Sequence, residues 1–188
     1  MPLSLKGRLG KLAFSVSNTG LTGFLQLMST WVYFFYVDVV HLDPWPASLA
    51  LIVSAVWGAI NPPIIGGLSD RTRTRWGRRR PYILLGIPIM FFFNILIWSP
   101  PLGGKPLTDP YSLTAFFYMM IVVAIFGFGF TMVSLPYGAL FPEMWTDQKD
   151  RSEVTVYRES LSVIGGILAM VIFPIVIDSY SGQLGKLN

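Results

Sequence analysis

The sequence predicts an all-α polytopic membrane protein, and three observations lead to that prediction. Only 13% of its 188 residues are charged and 53% are hydrophobic, whereas a soluble domain carries about 25% charged residues. The apolar residues form five runs without Asp, Glu, Lys, Arg or His, and each run reaches the roughly 18 residues of a candidate transmembrane helix. Approximate spans therefore fall at residues 12–36, 45–69, 81–99, 111–140 and 159–177, with no soluble domain.

The first span carries a polar stripe. Its apolar run is longer than the roughly 7–15 residues of a signal-peptide core, so it is predicted to be retained. Asn18, Thr22, Gln26 and Tyr33 follow one another in steps that place them on one helix face. Because Asn18 and Gln26 are larger and more polar than helix packing requires, we interpret this face as part of a water-filled substrate path.

The second span is marked by two adjacent prolines. It begins with Asp43 before Pro44, the pattern of an N-cap followed by proline at the first helical position. Gly58 and Asn61 share a face, and Pro62–Pro63 remove two backbone donors just after them. Two alternatives stay open: a broken helix at a substrate or ion site, as transporters use, or a structural kink.

The last three spans carry small residues at helical spacing. An Asp109–Pro110 pair predicts the cap of the fourth span. Small and hydroxyl residues that follow one another every three or four positions are typical of helix–helix contacts. They lie at Gly127, Thr131, Ser134 and Gly138 in the fourth span, and at Gly165, Gly166 and Ala169 in the fifth. Ser134 is also a candidate for the substrate path.

Charge distribution predicts the orientation. With the N-terminus in the cytoplasm, twelve of the fourteen Lys and Arg residues fall on the cytoplasmic side, all except Lys105 and Lys186. Such a bias in short loops sets membrane topology, so we expect an integral protein of the plasma (inner) membrane. The arginines of 71–80 are then topology signals that contact membrane lipids, and a nucleic-acid partner is not expected.

The residue types exclude most enzyme chemistry. There is no cysteine, and the single histidine, His41, lies in a short outer loop. A membrane-embedded enzyme would need His, Cys or paired carboxylates inside the spans, so we predict no enzymatic activity, no catalytic residue and no metal site or cofactor. A non-transporting membrane interaction protein is an alternative, but it leaves the polar stripe of the first span without a role.

The most specific motif is the loop between the second and third spans. It reads Gly66-Gly67-Leu-Ser69-Asp70-Arg71, with Gly77-Arg78-Arg79-Arg80-Pro81 after it, and the two glycines are expected to admit a neighbouring backbone. A second motif runs from Leu135-Pro136-Tyr137 through Glu143 to Asp150-Arg151 and Tyr157-Arg158. Both resemble the major facilitator superfamily, in the form found in the glycoside–pentoside–hexuronide:cation symporters, the melibiose-type carriers, and in the related sucrose carriers.

This resemblance implies the first five helices of the N-terminal six-helix half of a twelve-helix carrier that works by alternating access. It implies transport of a small polar solute, a sugar or glycoside, with a lysolipid-type carrier of the same superfamily as the alternative. It also implies a cytoplasmic gate that forms in one state and breaks in the other. The expected gate residues are Gly67, Asp70, Arg71, Gly77, Arg78, Arg79, Arg80, Arg151 and Arg158.

The sequence departs from the melibiose-type pattern at the acidic positions. Gly58 and Pro62 stand where two cation-binding acids are expected in the second span, and Thr22 and Ser134 stand near the acidic sugar-contact positions. Coupling to Na⁺ or H⁺ therefore has no identifiable site. Five spans also fall short of a six-helix half, so we expect a fragment that is inactive alone and needs the missing C-terminal helices, in cis or from a second chain.

Overall fold

The computed structural model describes residues 8–75, 77, 79–101 and 111–184, and the regular secondary structure of these residues is helical, with no strand among them. The helices are α1 (Arg8–Phe34), which continues as a π-helical segment at Phe35–Val39, α2 (Pro44–Arg71), α3 (Arg80–Trp98), α4 (Leu113–Met144) and α5 (Gln148–Leu184). The predicted all-α fold class is confirmed. Three residues named above, Arg78, Lys105 and Lys186, and the Asp109–Pro110 cap lie outside the described residues.

Among the described residues, four helices, α2 to α5, are long and apolar enough to cross a membrane. The shortest is α3, whose 19 residues extend about 28 Å at 1.5 Å per residue. This length is close to the roughly 30 Å of a bilayer's hydrocarbon core. By this criterion α1 does not qualify, because polar side chains recur along its 27 residues.

The start of α2 confirms the predicted N-cap, and the middle of the helix excludes the broken-helix alternative. Asp43 is the N-cap, and its Oδ1 accepts a 2.9 Å hydrogen bond from the backbone N–H of Trp45. The helix then continues without interruption past Pro62 and Pro63 to Arg71. The broken-helix alternative is therefore wrong. A proline costs one backbone hydrogen bond, and the surrounding turns of this 28-residue helix persist despite two such losses.

The chain divides into two compact units. One, the terminal unit, contains the residues up to Thr30 and those from Pro142 onward. The other, the central unit, is Trp31–Phe141, and it contains the end of α1 together with α2, α3 and nearly all of α4.

Polar groups of the central unit bond to backbone oxygens of neighbouring helices. The hydroxyl of Tyr36, fully buried, donates to the Ile97 oxygen at 3.2 Å. That of Tyr118 donates to the Leu96 oxygen at 2.8 Å, and Ser54 Oγ lies 3.1 Å from the Met120 oxygen. In a bilayer no water competes for these groups, so internal partners are required.

The closest approach of α3 and α4 occurs at two glycines that the sequence interpretation missed. A Cβ added to Gly86 would lie 2.9 Å from the backbone oxygen of Gly129. The helix-contact role predicted for Gly127 and Gly138 of α4 is wrong, because a Cβ at either position would meet no atom within 4 Å. Thr131, on the same stripe, bonds the Gly127 oxygen of its own helix. Gly127 and Gly129 are two residues apart and therefore lie on different faces.

In the terminal unit, α1 packs on α5 through small residues. A Cβ at Gly165 would lie only 2.5 Å from Thr19 Cγ2, and one at Gly23 would lie 3.5 Å from the Gly165 oxygen. This confirms the contact role predicted for Gly165, whereas the one predicted for Gly166 is wrong, because a Cβ there would meet no atom within 4 Å. Nearby, the ring of Phe14 meets that of Trp145 edge-on at 5.1 Å.

Candidate functional site

The polar stripe of α1 is used in two different ways along its length. Asn18 Nδ2 donates to Ser162 Oγ of α5 at 3.1 Å, and Thr22 Oγ1 lies 3.1 Å from the same oxygen. Gln26, one turn further, is exposed. Asn18 and Thr22 therefore contribute to the α1–α5 contact, whereas Gln26 presents its amide on an open face. Tyr33 is half-buried, with its ring against Phe34.

Asn61 is the most unusual polar residue of the central unit. Its side chain lies on α2 and is fully buried. Neither its Nδ2 nor its Oδ1 has a hydrogen-bond partner among the described residues. Leaving a buried polar group unsatisfied costs about 1–3 kcal/mol, so this amide is destabilising unless something else bonds it.

The surroundings of Asn61 on α2 differ from one turn to the next. At Gly58, one turn before Asn61, an added Cβ would meet no atom within 4 Å, so there is open space beside the helix. Ile65, one turn after it, is buried. Ser134 of α4, the remaining path candidate, is half-buried.

The loop between α2 and α3 is held by its own hydrogen bonds. Thr72 Oγ1 lies 2.7 Å from both the Leu68 oxygen and the Tyr82 hydroxyl, which links the end of α2 to the start of α3. Thr74 Oγ1 donates to the Gly77 oxygen at 2.6 Å, and the Gly77 N–H donates back to the Thr74 oxygen at 3.0 Å. The φ of Gly77 is +93°, a left-handed conformation that a residue with a side chain rarely adopts.

The predicted gate residues of this loop have different environments. Arg79 donates from Nη1 to the Ala139 oxygen of α4 at 2.8 Å, whereas Arg71 and Arg80 are exposed. Asp70 is exposed and forms no ion pair within the described residues, so its pairing with an arginine stays a prediction. The close backbone approach expected at Gly67 is wrong, because a Cβ there would meet no atom within 4 Å.

The second motif positions two arginines near the start of α5. Arg151 donates from Nε to the Trp145 oxygen at 2.6 Å and from Nη2 to the Pro142 oxygen at 3.1 Å. These bonds satisfy carbonyls where α4 ends, a place where a helix leaves backbone oxygens without intrahelical partners. Arg158 pairs with the neighbouring Glu159 at 3.3 Å.

A charge cluster around the buried Lys11, at the same end of the terminal unit, was not predicted. The Lys11 side chain is only 7% exposed, and its Nζ bonds Asp150 Oδ1 at 2.8 Å and also Glu153 Oε2. The hydrogen bond to Asp150, followed by that to Glu153, raises the pKa of Lys11 above its ordinary value. The bond from Lys11 in turn lowers the pKa of Glu153. Both residues lie outside the predicted spans.

The described residues contain no group of three or more His, Cys, Asp or Glu side chains placed to hold a metal ion. Within the same residues, Asp150 and Glu153 are engaged with Lys11, and Glu159 is engaged with Arg158. The arrangement thus provides hydrogen-bonding groups inside the helices and cationic groups at their ends.

Comparison with known proteins connects these features to a family. The family model described as "MFS/sugar transport protein" matches residues 8–186. The chain belongs to this family. The predicted resemblance to the major facilitator superfamily is thereby confirmed, and it follows that the chain is part of an integral membrane protein of a transporter family.

Several relatives of this chain are named as symporters. An uncharacterized symporter of Synechocystis sp. is 34% identical over 95% of this chain and 33% of its own length. A sodium-dependent lysophosphatidylcholine symporter of zebrafish is 30% identical over 87% of this chain and 29% of its own. An inner membrane symporter of Escherichia coli is 26% identical over 96% and 37%. The chain thus spans about a third of the length of the curated relatives it matches.

Proposed function

We propose that this chain forms the N-terminal part of a secondary transporter for a small polar solute, a sugar or a glycoside, in the plasma (inner) membrane. Its N-terminus would face the cytoplasm, and its missing helices would come from the same polypeptide or a second chain. Transport would proceed by alternating access, with the arginine loop and Arg151 and Arg158 on the gate side. The charge-free runs contain no carboxylate. Coupling to Na⁺ or H⁺ would therefore not use a carboxylate inside them.

The observation that carries the proposal is Asn61, a fully buried amide without a partner among the described residues. An amide both donates and accepts, and a hydroxyl-rich solute offers both kinds of group. A bound substrate that forms hydrogen bonds with Asn61 would offset the cost of the unsatisfied amide, and this cost remains when no substrate is bound. A transport cycle requires such a difference in interaction between its states. The exposed amide of Gln26 is a further polar group of the predicted path.

A second candidate substrate is a lysophospholipid. The sodium-dependent lysophosphatidylcholine symporters of zebrafish and mouse are 30% and 29% identical to this chain over 87% of it. For such a substrate, only the head group would reach a buried amide, while the acyl chain would need an apolar wall.

The test reconstitutes the full-length gene product into liposomes and measures counterflow of labelled glycosides beside that of lysophosphatidylcholine. We expect glycoside counterflow. Asn61→Leu removes two hydrogen bonds at about 1 kcal/mol each and should weaken apparent affinity about thirty-fold. Ile65→Val, which shortens a buried side chain of the same helix, is the matched control and should transport normally.

The same Asn61→Leu protein should unfold at an equal or higher temperature, because the unsatisfied amide is gone. A loss of transport together with a loss of stability would indicate misfolding and not a substrate contact. Glycoside counterflow that Asn61→Leu leaves unchanged would contradict the role of Asn61. Movement of lysophosphatidylcholine alone would replace the sugar proposal by the second candidate.

A further inference from the structure

Two arginines of the α2–α3 loop, for which the sequence predicts only a general contact with membrane lipids, have surroundings that indicate a more specific role. Arg73 and Arg75 are outside the predicted gate residues, both are exposed, and neither forms an ion pair in the part of the chain that the structure describes. By contrast, Arg79 of the same loop is turned inward to the Ala139 oxygen. The loop thus separates one structural arginine from cations that remain available for an external anion.

The position of the loop places these cations at the membrane surface. The loop joins the end of α2 at Arg71 to the start of α3 at Arg80, and both helices are apolar enough to cross a membrane. Since α3 extends only about 28 Å against a hydrocarbon core of about 30 Å, its first residue cannot extend far beyond the lipid. Arg73 and Arg75, five to seven residues earlier in the sequence, must then lie near the headgroups.

The loop also presents the two arginines from a defined backbone. The Thr72–Tyr82 contact of 2.7 Å joins the two helix ends, and the Thr74–Gly77 bonds close the turn that contains Arg75. Both arginines are therefore presented from a hydrogen-bonded hairpin. A guanidinium binds a phosphate through two parallel N–H···O bonds.

We infer that Arg73 and Arg75 form a binding site for the phosphate of an anionic phospholipid headgroup. The ligand is a lipid because the loop is held between two membrane helices, and it is anionic because zwitterionic headgroups carry no net charge to compensate the arginines. The site is independent of the transported solute, so it stands or falls separately from the proposed function. Its occupant would tie the α2–α3 hairpin to one leaflet.

The test uses the purified full-length gene product in neutral detergent, with thermal unfolding followed as short-chain phosphatidylglycerol is added. A ligand that binds only the folded state raises the unfolding midpoint with its concentration. We expect phosphatidylglycerol to raise it, added salt to reduce the effect, and phosphatidylcholine to have none. Each of Arg73→Gln and Arg75→Gln should weaken the apparent phosphatidylglycerol affinity about five-fold.

Lys149→Gln is the matched control, because Lys149 is also exposed and unpaired in the described residues but lies at the start of α5. It should retain the wild-type affinity within about two-fold. Counting bound phosphatidylglycerol by native mass spectrometry supplies a readout that does not depend on stability. Equal affinity in the two arginine variants and wild type, an equal shift with phosphatidylcholine, or an equal shift with inorganic phosphate would each overturn the inference.

Discussion

The tight α3–α4 contact allows a prediction that compares two glycines of one helix. A Cβ at Gly129 would lie 2.9 Å from Ile89 Cγ2 and 3.0 Å from the backbone N of Met90, whereas a Cβ at Gly127 would meet nothing within 4 Å. Gly129→Ala must therefore displace α3 backbone, and Gly127→Ala need not displace anything. Both substitutions occur in the interior of α4.

The expected magnitude follows from two terms. Overpacking a close contact costs about 1–3 kcal/mol, and Ala is favoured over Gly in a helix by about 1 kcal/mol. The propensity term is the same for both positions, so it cancels when the two variants are compared. Gly129→Ala should be less stable than Gly127→Ala by about 1–3 kcal/mol, or roughly 2–12 °C in unfolding midpoint for a chain of this size.

The assay is thermal unfolding of the two purified variants and wild type in one detergent, followed by tryptophan fluorescence. Gly127→Ala should match or exceed wild type, and Gly129→Ala should fall below both. Gly86→Ala tests the other side of the contact, since its Cβ would meet the Gly129 oxygen at 2.9 Å. Equal midpoints for Gly127→Ala and Gly129→Ala would refute the packing that the structure gives for α3 and α4.

Three further predictions concern charged and polar groups. Lys11 lowers the pKa of Glu153, so their contact contributes stability at neutral pH that is lost as the pH falls below 4.5 and through the lowered pKa. In Lys11→Met, the unfolding midpoint measured between about pH 3 and 7 should therefore fall less on acidification than in wild type. An unchanged pH profile would contradict the contact. Arg79→Gln removes the bond to the Ala139 oxygen and should lower the free energy of unfolding by about 1.5–3 kcal/mol. Arg80→Gln, at an exposed position, should have little effect. Equal unfolding midpoints for the two variants would argue against the Arg79–Ala139 bond. Cysteine at Gln26 should react with a water-soluble maleimide faster than cysteine at Leu25, and equal rates would remove Gln26 from a water-filled path.

The sequence predicted the helical architecture because long apolar runs have only one solution in a bilayer. Every backbone N–H and C=O must be satisfied within the segment, so the runs around residues 45–69 and 81–99 became α2 and α3. The Asp43 cap was predictable for a local reason, since the cap and its acceptor are two residues apart. The packing role of Gly165 was recovered as well.

Contacts between distant segments were harder to predict. Lys11 was interpreted as one more cytoplasmic cation, because its partners Asp150 and Glu153 lie 139 and 142 residues away in sequence. In the fourth span, spacing alone did not tell Gly127 from Gly129. The two alternate between helix faces, and only the position of Gly86 on α3 decides which face is in contact. For Asn61, the sequence indicated a polar residue on a helix face but not that its amide is buried without a partner.

The chemistry of Asn61 also separates the two candidate substrates. Its side chain has two N–H donors and a carbonyl acceptor, so full satisfaction requires a ligand with both acceptors and donors. Neighbouring hydroxyls of a sugar provide both within a few ångströms. A phosphocholine head has acceptor oxygens but no N–H or O–H, and the single hydroxyl of a lysolipid is on its glycerol. A lysolipid must therefore bring this one hydroxyl to the Asn61 carbonyl or leave the carbonyl unsatisfied, at a cost of about 1–3 kcal/mol. For this reason we propose a hydroxyl-rich solute as the substrate class.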